Sequence, residues 1–183
     1  MASGAGSNAA NIIHYFHERK TAEVVLVASN RSGAGVFDVA AANKVPTYLL
    51  TKENFQQSNE FILYAQVLQV DVVVLAGFLW KVPALMVQEF PHRIVNIHPS
   101  LLPKYGGKGM YGHHVHEAVH QAGERESGIT IHWVNEQYDE GGIIAQHRVN
   151  VEPSDTPFDI ERKVRALEIE WFPRVVENVL MTC

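Results

Sequence analysis

Hydrophobic residues along this chain fall into two patterns that take turns. At Ala9, Ile12, Ile13 and Phe16 they recur every three or four positions, which predicts a helix over 8–20 with one buried stripe. Over 23–30 (EVVLVASN) they form a short β-branched run, which predicts a buried strand. The alternation continues with a helix over 35–44 and a strand over 45–50. Phe61, Tyr64, Ala65 and Leu68 then recur at helical spacing within 51–69, and 71–77 (DVVVLAG) is continuously apolar. Such a run suits a central parallel strand covered on both faces. A short helix over 83–90 and a strand over 93–98 (RIVNIH) follow.

Past residue 98 the pattern changes. A helix is expected over 113–123, ending at Gly123. Two strands over 127–135 and 142–151 share a short acidic turn and are therefore expected to be antiparallel. In the tail, Thr156 can cap a helix, Pro157 suits its first position, and Asp159 complements its positive end. Ile160, Val164, Leu167, Trp171 and Val175 give it a long apolar stripe, and Pro173 is expected to kink or end it. The elements together predict a single α/β domain over 1–183. It is a doubly wound, mostly parallel sheet with right-handed crossovers, antiparallel C-terminal strands and a long C-terminal helix.

Composition narrows the field. The 183 residues carry a net charge of −5, which argues against a broad grip on nucleic acid. The one cysteine, Cys183, allows neither a disulfide framework nor a Cys-based zinc cluster. No apolar run nears the ~20 residues of a membrane-spanning helix, and the start has no signal-peptide pattern, so a cytoplasmic location is expected.

In a doubly wound sheet, ligands lie beyond the carboxyl ends of the strands. Four segments fall there. SGAGSN (3–8) is a Gly-rich turn entering a helix, either a phosphate cradle or a bare strand–helix turn. AGFLWKVP (76–83) offers apolar side chains and a backbone edge, suited to a flat heterocycle or to simple packing. In NIHPSLLPKYGG (96–107), Asn96 and His98 sit at i and i+2 and share one side of a strand, and Pro99 holds the His98 backbone extended. An amide beside an imidazole suits acyl transfer, one holding an oxyanion and the other moving a proton. NEQYDEGG (135–142) holds Asp139, which either orients an imidazole and favours its charged form or sits in a solvated turn. His116 and His120, at i and i+4, are a candidate metal pair, but the plainer reading of GHHVHEAVH is a surface helix near an anionic ligand.

Taken together, SGAGSN, VVVLAGF, NIHPSLLPKYGG and YDEGG, in that order, closely resemble the folate-dependent formyltransferases, in particular the glycinamide ribonucleotide transformylase family. The resemblance runs through nearly the whole chain. It implies a Rossmann-like formyltransferase fold and formyl transfer from 10-formyltetrahydrofolate, a co-substrate, to the amine of glycinamide ribonucleotide in purine synthesis, with no metal. Position by position, it implies His98 as the catalytic histidine, Asn96 as its oxyanion partner and Asp139 as the tuning carboxylate. Gly6, Ser7 and Asn8 match the substrate-phosphate loop. Glu168 matches a substrate contact, with Arg165 one turn before it. Leu79, Trp80, Lys81 and Val82 match the folate edge, and Asn135, Glu136, Gln137, Tyr138 and Asp139 the loop over the pterin, with Asn96 also within reach of folate. A cis Leu102–Pro103 bond is implied as well. Two departures stand out: YGGKGMYGHHVHE is longer and richer in glycine than the commoner version, and Trp80 replaces a usual arginine.

The implied mechanism has a neutral amine attacking the formyl carbon while Asn96 and a protonated His98 hold the oxyanion. Asp139 keeps His98 charged. Partners are small molecules, and the chain is expected to act as a monomer or homodimer. Methionyl-tRNA formyltransferase and formyltetrahydrofolate hydrolase would each need a further domain. A catalytically idle nucleotide- or folate-binding module, or the hydrolase, is the alternative. Because only Met1 and Ala2 precede the Gly-rich turn, the strand that feeds such a loop is expected to be largely missing.

Overall fold

The alternation of strand and helix is the order found. A computed structural model describes residues 1–182. The elements are α1 (Ser7–Arg19), β1 (Val27–Ser29), α2 (Val36–Ala42), β2 (Thr47–Leu49), α3 (Lys52–Phe55), α4 (Glu60–Val67), β3 (Val73–Leu75), α5 (Ala84–Glu89), β4 (Ile94–His98), α6 (His113–Gln121), β5 (Glu126–Trp133), β6 (Ile143–Asn150) and α7 (Pro157–Leu180). β1 pairs with β2 in parallel, and β3 with β4 in parallel. β4–β5 and β5–β6 are antiparallel, as the two C-terminal apolar runs require.

Strand periodicity sorts the core into two layers. Val95 and Ile97 of β4 join Ile12 and Phe16 of α1 and Ile160, Val164, Phe172 and Val176 of α7. Ile94 turns the other way and, with Val73 and Leu75 of β3, packs on Phe61, Ile62, Met86 and Phe90. Both faces of β3 and β4 are thus covered, which is why 72–76 has no polar position to show.

Three expectations on element boundaries change. The strands read at 23–30 and 71–77 shorten to three residues each: no ladder joins β1 to β3, and between them only Met1 and Ala2 bond to both, at Ala28, Val74 and Ala76. The helical stretch in 51–69 divides in two. Thr51 and Asn54 form a reciprocal cap that starts α3, and a separate α4 begins after it. Pro173 does not end α7, which runs on to Leu180. A proline leaves the carbonyl four residues back without its donor. That carbonyl belongs to Ile169, and the side-chain amide of Asn11 on α1 donates to it at 2.8 Å. The Leu102–Pro103 bond is cis.

Candidate functional site

β4 delivers Asn96 and His98 to the floor of a cleft of about 570 Å³. Asn96 lies directly opposite His132 in the β4–β5 ladder. Cross-strand neighbours sit close enough for their side chains to bond, and Nδ2 of Asn96 donates to Nε2 of His132 at 3.0 Å. His132 donates from Nδ1 to the Trp133 carbonyl at 2.9 Å, the tautomer that leaves Nε2 free to accept. Nδ2 of Asn96 also donates to Oδ1 of Asp139, at a longer 3.4 Å.

Asp139 reaches the floor from the β5–β6 turn. Its own backbone is left-handed, with φ of 56°, a conformation aspartate tolerates better than most residues. Oδ2 accepts from the Gly107 amide at 2.9 Å and faces Nδ1 of His98 at 3.6 Å. Nε2 of His98 donates to the Tyr105 carbonyl at 2.7 Å. The neutral ring therefore presents a bare Nδ1 towards a carboxylate. A proton arriving at Nδ1 converts that opposition into an ion pair.

Burial holds the His98 imidazole below the ordinary histidine range, while the Asp139 charge and the Tyr105 carbonyl pull it part of the way back. This corrects the expectation that Asp139 keeps His98 charged at rest: with His98 4% exposed, desolvation outweighs the carboxylate. Burial by itself would raise the Asp139 carboxyl. His132, His98 and the Gly107 amide together hold it below the usual range instead.

Beside this floor lies the Gly-rich turn. Gly6 is the N-cap of α1 at φ 84°, and no side chain caps the helix, so its first amides are free to meet an anion. A Cβ on Gly6 would come within 2.7 Å of the Val36 backbone, so this turn demands glycine. Nδ2 of Asn8 donates to Oε2 of Glu168 at 2.9 Å. Burial pushes the Glu168 carboxyl up, against the Asn8 hydrogen bond and the Arg165 charge. Oγ of Ser3 accepts from the Leu79 amide at 2.9 Å and donates to Asn30 at 2.6 Å, tying the turn to the apolar segment after β3.

The formyl transferase family matches residues 1–176 of this chain. The chain belongs to that family. It is similar to a chloroplastic phosphoribosylglycinamide formyltransferase of Arabidopsis thaliana, 41% identical over 95% of this chain and 62% of the relative. It is also similar to a phosphoribosylglycinamide formyltransferase of Haemophilus influenzae, 34% identical over 97% and 84%. Among solved structures, the phosphoribosylglycinamide formyltransferase of Bacillus halodurans superposes with a TM-score of 0.87, at 32% identity over 98% of this chain and 92% of that one. The chain thus spans about three-fifths of the length of its plant relatives, whose second example is covered to 58%.

For this family member, the cleft gathers nearly all the residues expected from the sequence. Gly6, Ser7, Asn8, Arg165 and Glu168 line it, as do Leu79, Trp80, Lys81, Val82, Asn135, Gln137, Tyr138, Asn96, His98 and Asp139. Glu136 does not. The Asn135 side chain accepts the Gln137 amide at 2.9 Å, and Glu136 is the exposed corner of that tight turn. The metal-pair and surface-helix readings of α6 also change. His116 is 3% exposed and lines the cleft, whereas His120 is exposed to solvent. Among the described residues, no three potential ligands group to hold a metal. Nδ1 of His116 is buried with no hydrogen-bond partner, and burial lowers its pKa.

His132 is the site residue that sequence reasoning missed, and His116 was singled out there only as a metal ligand or part of a surface helix. For His132 a signal existed: a histidine in an otherwise apolar strand, SGITIHWVN, needs a buried partner. The Tyr105 carbonyl and the Gly107 amide left no such trace, because backbone groups carry no sequence signature.

Proposed function

We propose that the chain transfers a formyl group from 10-formyltetrahydrofolate to the amine of glycinamide ribonucleotide, a step of purine synthesis. The observation that carries this reading is the meeting of Asn96, His98, His132 and Asp139 on the floor of the cleft that also holds the Gly4–Asn8 turn. The names of the relatives point the same way. The free amides of α1, with Arg165 nearby, suit the substrate phosphate. Glu168 and Asn8 suit its sugar hydroxyls. Leu79, Trp80, Val82 and Tyr138 offer a flat apolar wall for the pterin.

The amine attacks the formyl carbon, a new C–N bond forms, and negative charge develops on the formyl oxygen. Asn96 keeps one amide hydrogen on His132 and turns the other, held at 3.4 Å by Asp139, to that oxygen. The amine's proton passes to Nδ1 of His98, which is unprotonated at neutral pH because of burial. The resulting imidazolium pairs with Asp139. The same proton then goes to N10 of the folate as the C–N10 bond breaks, leaving tetrahydrofolate and the formylated amide. Asp139 thus stabilises the proton in transit rather than a standing cation.

The reading has the chain working on small molecules in the cytoplasm, as a monomer or homodimer. No helix among the described residues is long and apolar enough to cross a membrane. The test is spectroscopic. Tetrahydrofolate should be released from 10-formyltetrahydrofolate only when glycinamide ribonucleotide is present. Release without it indicates a hydrolase, and no release in either case indicates an idle binding module.

A further inference from the structure

Among the described residues, six other than glycine have left-handed backbones: Lys20, Lys44, Gln69, His92, Tyr105 and Asp139. The first four follow a helix end within three residues, where this conformation commonly closes the helix. Tyr105 and Asp139 do not, and they hold His98 between them. The Tyr105 carbonyl accepts from Nε2 at 2.7 Å, and Oδ2 of Asp139 stands 3.6 Å from Nδ1. A bulky side chain is rare at such a φ, 56° for Tyr105, and persists only where its surroundings hold it. What holds Tyr105 lies outside the cleft. Its hydroxyl donates to Oε1 of Glu124 at 3.0 Å, and Nζ of Lys104 reaches the same oxygen at 2.8 Å. Glu124 follows α6 and is itself fixed there. Its amide donates to the Val119 carbonyl at 3.3 Å and the Gly123 amide to the His120 carbonyl at 3.0 Å, the Schellman closure of a helix at a left-handed glycine. None of Lys104, Tyr105 and Glu124 lines the cleft.

We propose that the hydrogen bond from Tyr105 to Glu124 is a tether that fixes the tautomer of His98, which makes Tyr105 and Glu124 positioning residues. The neutral imidazole has one proton and two acceptors competing for it. On Nε2 the proton meets the Tyr105 carbonyl. On Nδ1 it would meet the Asp139 carboxylate, a charged and intrinsically stronger acceptor. The shorter contact, with the carbonyl, keeps the proton on Nε2 and leaves Nδ1 bare. The direction of that carbonyl is set by the backbone torsions of Tyr105. With its hydroxyl released, Tyr105 relaxes towards negative φ, and its carbonyl turns away from Nε2. The proton then moves to Nδ1, which can no longer take one from an attacking amine. The same relaxation shifts the Gly107 amide, two residues on, away from Oδ2 of Asp139. The kinetic consequence of the tether rests on the formyl-transfer reading, whereas its hold on the imidazole does not.

The test is Tyr105→Phe in the full chain, read by nitrogen NMR of the His98 ring and by kcat. In the parent the neutral ring should carry its proton on Nε2. In Tyr105→Phe a large share should move to Nδ1, and kcat should drop on the order of 10- to 100-fold. KM should change little, because the lining of the cleft is untouched. Glu124→Ala should behave alike. Glu124→Gln keeps an acceptor for the hydroxyl and should restore the tautomer and most of kcat. Lys104→Ala leaves the tether in place and should resemble the parent. A proton that stays on Nε2 in both Tyr105→Phe and Glu124→Ala overturns the proposal, whatever happens to kcat. So does a proton shift in Glu124→Gln as large as that in Glu124→Ala. A shifted proton with unchanged kcat supports the tether and counts against the proton route through Nδ1. A parent that releases no tetrahydrofolate counts against the formyl-transfer reading alone, since the tautomer is read without substrate. If Tyr105→Phe does not fold, the two Glu124 variants carry the same readout.

Discussion

The cleft and a second hollow between β1 and β3, here the slot, are of nearly equal size, about 570 and 540 Å³, and they share two walls. Ser7 and Asn8 at the start of α1 line the cleft, and Ile12 and Phe16 farther along line the slot. On α7, Arg165 and Glu168 line the cleft, and Val176 and Leu180 the slot. Volume therefore says nothing about role. In the cleft, side chains from β4, β5 and the β5–β6 turn meet: Asn96, His98, His132 and Asp139 are joined within 3.6 Å. In the slot no ladder joins the backbone edges of β1 and β3, and most of the side chains are apolar.

The largest separation between the two is expected in turnover. His98→Ala and Asn96→Ala should each lower kcat on the order of 100- to 1000-fold, while Tm and the protection of the slot amides stay near those of the parent. Normal turnover in either purified variant would remove that residue from the reaction. Asp139→Asn takes away the charge that partly raises the His98 pKa. The His98 titration should therefore move to lower pH by NMR, and kcat should drop with it.

Stability against pH should report the slot. The Met1 amine has an ordinary value of 8.0 and is lowered to about 5 by burial. In the unfolded chain it gains a proton below pH 8, whereas the folded chain resists until about pH 5. The associated stability is thus complete above pH 8 and lost as pH falls towards 5, by on the order of 4 kcal/mol. Buried His98 and His116, both lowered, add losses of the same sign below the ordinary histidine value of 6.5. Nα-acetylation should flatten the pH 8–6.5 part of a Tm profile and leave the lower part. An unacetylated chain with a flat profile between 8 and 6.5 would contradict the burial of this amine.

The smallest effect belongs to the shared wall. Asn11→Ala leaves the Ile169 carbonyl without its donor, a loss of about 0.5–1.5 kcal/mol. Tm should drop by a few degrees with little change in kcat. A drop in turnover as large as that of His98→Ala would show that the α1–α7 junction positions the cleft rather than merely bracing it.

Much of this was legible in the chain itself. Apolar periodicity separates helices from strands because burial demands a side chain on one stripe or on both faces, and that demand is written residue by residue. The i, i+2 spacing puts Asn96 and His98 on one side of a strand whatever surrounds them, and Thr156 and Pro157 start α7 by local rules. Tertiary structure decided what depends on neighbours distant in sequence. Asn96 meets His132 through a ladder register 36 residues apart, and Pro173 is tolerated because Asn11, on another helix, bonds its orphaned carbonyl. The direction of the His98 shift came from enclosure, which no single residue encodes. The length of β1 and β3 came from the backbone beside them, since Met1 and Ala2 bond only to Ala28, Val74 and Ala76 between the two.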